Sequence, residues 1–134
     1  MSSGFPILVV DEDPMLADTL NQASQLCFPE ASFTQVYNAA QAKIWLESLA
    51  NFKPSLVILA INEQNSADEL DFLAFLRTHD ETQRLPIFIL TTSQLPCDLI
   101  AAYMNYASSL TFKPFSIHDW AICLSNLAQY TKVK

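Results

Sequence analysis

The stretch PILVVDEDP, residues 6–14, decides the fold. Four apolar residues, Ile7 to Val10, run straight into three carboxylates, Asp11, Glu12 and Asp13, and then into Pro14. An apolar run this short reads as a strand buried on both faces. Asp13-Pro14 reads as a helix cap followed by proline at the first helical position. Acids gathered at the end of a buried strand repel one another. The fold must therefore set something against them, a metal ion or a lysine.

Working outward, the same strand-then-helix unit returns four more times. SFTQVY (32–37) is a weak strand, and Asn38 caps a helix running to about Leu49. LVILAI (56–61) and PIFILTT (86–92) are strong strands, and SLTF (109–112) is a short one. ADELDFLAFLR (67–77) and the stretch from Pro96 to Tyr106 are helical in pattern. SIHD (116–119) is a helix start signal, with Trp120, Leu124 and Leu127 following on one face. In the first helix, Leu16, Leu20, Ala23 and Cys27 share a face. Alternation at this spacing predicts a parallel sheet covered on both faces, hence a three-layer α/β/α fold. Right-handed crossovers make it doubly wound and flavodoxin-like, with strand order 2-1-3-4-5. One domain spans 1–134, with its core at about 5–130. In such sheets the working crevice lies at the carboxyl ends of the strands.

Composition narrows the function classes. Of 134 residues, 51% are hydrophobic and 16% charged, which suits one folded domain. The formal charge of −7 argues against nucleic-acid and anionic-membrane partners, both of which need basic patches. No apolar run reaches the roughly 20 residues of a membrane span, and MSSGFP has no signal-peptide pattern. Cys27, Cys97 and Cys123 read as small buried hydrophobes of a cytoplasmic protein. Gly4 is the single glycine, so left-handed turns must use Asn or Asp or be avoided.

ILVVDEDP, PSLVILAIN, PIFILTTS and FKPF stand in the order and at the spacing of the receiver domain of bacterial response regulators. The chain resembles a CheY-like receiver over nearly its whole length. The resemblance implies a two-component phosphorylation pocket with Asp11 and Glu12 as Mg²⁺ ligands. It implies Thr91 as the phosphoryl contact, and Lys113 as partner of the acceptor carboxylate, followed by a usually cis Pro114. At the acceptor position stands Ala60. Alanine offers no oxygen nucleophile and removes a carboxylate that Mg²⁺ would use. NEQNSADEL, after the third strand, also lacks the family's Leu-Pro and Asp-Gly, which a single substitution would not explain. Leu110 stands where the family carries its reporting aromatic.

The reading is a degenerate receiver, not an enzyme, that signals by protein–protein interaction without phosphorylation at the usual site. Lys113, without its usual partner, is expected to turn to Asp11 or Glu12. The chain is too short for an added DNA-binding output domain. The alternative is phosphotransfer at a non-standard residue such as Asp68 or Asp71. Between Pro96 and Tyr130 only Asp98, Lys113 and Asp119 are charged. Charge depletion with Tyr103, Tyr106 and Leu110 nearby marks helix 4, strand 5 and helix 5 as the face of a homodimer or protein partner.

Overall fold

Residues of strand propensity alternate between two apolar faces, and both are filled. In the computed structural model, which describes residues 4–48, 54–61, 63–92 and 94–133, five strands form one parallel sheet. They are β1 (Phe5–Val10), β2 (Ala31–Val36), β3 (Leu56–Ala60), β4 (Ile87–Thr91) and β5 (Ser109–Phe112), in the order β2-β1-β3-β4-β5. The helices are α1 (Leu16–Cys27), α2 (Ala39–Glu47), α3 (Ser66–Thr78), α4 (Cys97–Met104) and α5 (Ile117–Val133). The expected fold class is therefore the observed one. Leu49, Asn62, Ser93 and Lys134, to which the sequence reading extended, lie outside the described residues.

One face of the sheet carries Leu8, Val10, Val57, Leu59, Ile87 and Ile89 against α2, α3 and α4. The other carries Ile7, Val9, Leu56, Ile58 and Leu90 against α1 and α5, where Leu20 and Ala23 meet Trp120 and Leu124. The period-2 pattern of β1 and β3 thus loads both layers, which is why these strands read as continuous apolar runs.

Two helix starts follow the sequence. Asn38 caps α2 by accepting from the Gln41 N–H at 2.8 Å, and Ser116 Oγ accepts from the Asp119 N–H at 3.0 Å. The start of α1 differs. Asp13 Oδ1 accepts from the Met15 N–H at 3.0 Å, but the helix begins at Leu16. A turn closed by the Leu16 N–H on the Asp13 carbonyl takes up Pro14 first. No described residue has positive φ, so with one glycine the chain avoids left-handed turns. Cys27 and Cys123 are half-buried, but Cys97 is exposed, a correction to its expected burial. It is the first residue of α4, whose buried face is centred on Tyr103.

Arg77 ties the far end of the sheet together. Its guanidinium donates to the carbonyls of Tyr106 (2.7 and 2.9 Å), Leu85 (2.7 Å) and Gln83 (3.0 Å). Burial lowers its pKa. One fork thereby joins the end of α3, the approach to β4 and the approach to β5.

Candidate functional site

The strand order reverses between β1 and β3, and the crossovers diverge there. A crevice of about 670 Å³ opens at that point, lined from β1 to the start of α3 by residues that include Asp11, Glu12, Ala60, Asp68, Glu69 and Lys113. This is where an open doubly wound sheet places its ligands.

Asp11 follows β1 and is buried at 4% exposure. Its Oδ1 accepts from the Asp13 N–H at 2.9 Å, and its Oδ2 from Lys113 Nζ at 2.5 Å. Lys113 reaches it from the loop after β5, its own N–H bonded to the Thr91 carbonyl at 2.8 Å. The cation set against the strand-end acids is therefore Lys113, and its partner is Asp11. Gln35, on β2, holds the acidic loop in place. Its Nε2 donates to the carbonyls of Asp11 and Asp13, both at 2.7 Å, and its Oε1 accepts from the Ala17 N–H. Sequence reading passed over Gln35, because a glutamine on a weak edge strand carries no motif.

Other positions separate. Ala60 ends β3 and lines the crevice, with no oxygen on its side chain. Glu12 is exposed on the rim. Thr91 is buried, and the wall of the crevice carries Thr92 instead. The Lys113–Pro114 bond is trans, since no described peptide bond is cis, a correction to the isomer implied by resemblance. Trans is the intrinsically favoured isomer at a prolyl bond.

The Mg²⁺ ligation that the resemblance implies for Asp11 and Glu12 does not fit this donor set. Both oxygens of Asp11 are engaged, one by an ammonium that repels a cation. Ala60 supplies no ligand, and hard divalent cations need several oxygen donors. Among the described residues no group of three or more His, Cys, Asp or Glu could hold a metal ion.

Tyr103 corrects the expected interface. It is fully buried at 0% exposure, and its hydroxyl donates to Glu69 Oε1 at 2.7 Å across α4 and α3. A tyrosine can be internal when a buried acceptor meets its hydroxyl. Tyr106 and Leu110 are half-buried and pack against the same core. The exposed large apolar residues at this end are Met104, Phe112, Phe115, Ile117 and Ile122.

The sheet order and its five covering helices are those of solved receiver domains. Solved receivers match the chain over nearly their full length. The phosphorylated cyanobacterial phytochrome response regulator RcpA aligns at TM-score 0.77 and 16% identity, covering 96% of this chain and 94% of that one. A signal receiver domain of a two-component histidine kinase from Clostridium thermocellum aligns at 0.76 and 20%, covering 96% of each. CheY4 of Vibrio cholerae aligns at 0.72 and 16%, covering 93% and 99%. The chain thus has the CheY-like receiver fold. No protein-family model matches the sequence, and no curated protein matches it either.

Proposed function

We propose that this receiver-like domain signals by protein–protein contact, without accepting a phosphoryl group at the third strand and without catalytic chemistry of its own. The observation that carries this reading is the Lys113–Asp11 pair beside Ala60. In-line phosphoryl transfer needs an oxygen nucleophile at the strand end and a cation site to neutralise developing charge. Ala60 removes the first, and Lys113 holds the carboxylate that would anchor the second. Among the structural neighbours, one is a phosphorylated form and another, of response regulator Rcp1, an Mn²⁺-bound form. Those states belong to those proteins; here Ala60 offers no side-chain oxygen and Asp11 is paired with Lys113.

The contact surface of this reading is the charge-poor end formed by α4, β5 and α5, where Phe112 and Phe115 are exposed. Among the described residues no helix is long and apolar enough to cross a membrane. The test is sedimentation velocity with and without acetyl phosphate and Mg²⁺, with the protein alone and with any captured partner. The reading predicts identical association in both conditions. Association that appears only with the phosphodonor would contradict it. It would favour the alternative, phosphotransfer at a non-standard residue such as Asp68, an exposed carboxylate of the crevice, or Asp71, which does not line it.

A further inference from the structure

Glu69 belongs to two places at once. It lines the crevice, and its carboxylate is buried against the Tyr103 hydroxyl. Tyr103 is in turn the one buried residue of α4. That helix has eight residues and no side-chain cap at its N-terminus. A helix this short has little intrinsic stability and takes its position from tertiary contacts. Its partly buried residues Leu99 and Ile100 supply non-directional packing, whereas the hydrogen bond from the Tyr103 hydroxyl to Glu69 is directional.

We infer that the Glu69–Tyr103 hydrogen bond is a latch that sets the position of α4 from the wall of the crevice. The inference goes beyond the proposed function, since it holds whether or not the domain accepts a phosphoryl group. The Glu69 side chain meets the tyrosine hydroxyl at the wall of the crevice. Drawn toward the crevice, it would leave the buried hydroxyl without this acceptor and weaken the hold of α3 on α4. Whatever draws on Glu69 in the crevice is then felt at the α4 surface next to Met104 and Tyr106.

Amide hydrogen exchange on the full chain tests this. Tyr103→Phe keeps the ring and the core volume and removes only the hydroxyl. Exchange across residues 97–104 should rise about tenfold, as expected for losing a buried hydrogen bond, with a smaller change in β1 and β3. Glu69→Gln retains a carbonyl acceptor and should keep most of the protection. Glu69→Leu, with no acceptor, should behave like Tyr103→Phe. Protection of α4 that ignores Tyr103→Phe and Glu69→Leu, or that falls no further than in β1 and β3, overturns the latch.

Discussion

At the scale of the residue, the decisive pair is Lys113 with Asp11, side chains 16% and 4% exposed. Removing one partner of a largely buried ion pair leaves an uncompensated charge. Lys113→Ala should therefore lower unfolding stability by about 2–4 kcal/mol, whereas Glu12→Ala, on the exposed rim, should stay within about 0.5 kcal/mol. Urea titration of the two variants compares them directly. Thiol chemistry gives a second test. Burial, with Cys27 nearby, pushes the Cys123 thiol up to about 11 from its ordinary 9.0. A folded-state pKa above the unfolded one favours the protonated form in the fold. That contribution is complete below about pH 9 and is lost as pH rises through about 11. Cys123→Ala should remove that part of the alkaline loss of stability, measured by thermal unfolding across the window. In native protein at pH 8, iodoacetamide should modify exposed Cys97 well before the other two. Not every residue was equally legible. Asp11, Ala60 and Lys113 stood out because strand ends are countable from an apolar run. Glu69 did not, although it lies three and four residues before Phe72 and Leu73 and so on the inward face of α3. An acid in a helix reads as solvated unless its partner is known, and Tyr103 stands 34 positions away.

At the scale of the element, all five strands and five helices were readable, because each strand is a short apolar run and each helix has a spaced apolar face. Ends were less so. The start of α1 moved to Leu16, because a bonded turn takes Pro14 before the helix begins. A 3₁₀ turn over Glu63–Asn65 precedes α3, where the sequence shows only polar residues. The contacts that join elements were the least legible. Arg77 satisfies carbonyls in two segments besides its own helix, and nothing in FLRTHD distinguishes such an arginine from a solvated one. Arg77→Lys should not rescue it, since a point charge cannot span the Tyr106 and Leu85 carbonyls together. Both Arg77→Lys and Arg77→Met should lose about 1–3 kcal/mol by chemical denaturation, as part-buried carbonyls lose their donor. Recovery of near-native stability by the lysine would show that charge, not the fork, matters there.

At the scale of the whole molecule, charge is unevenly spread. Twelve of the fourteen acids precede Pro96, and the later part of the chain carries Phe112, Phe115 and Ile117 at the surface. Like-charged copies or acidic partners meet least repulsion at that end. An interface proposed at that end cannot use every residue expected there. Tyr103 is internal, so a charge there would test the core rather than association. Phe112→Asp and Phe115→Asp are the informative variants. Each should weaken any self- or partner association in sedimentation while leaving circular dichroism and thermal unfolding nearly unchanged. The central claim is that the crevice no longer accepts a phosphoryl group, and intact-mass spectrometry tests it most directly. The chain and its Ala60→Asp variant are incubated with acetyl phosphate and Mg²⁺ and weighed. The account predicts no phosphoryl adduct on the chain and slow, partial labelling of the variant, because Lys113 remains committed to Asp11. A stoichiometric adduct on the unaltered chain, mapped to any residue of the crevice, would contradict it.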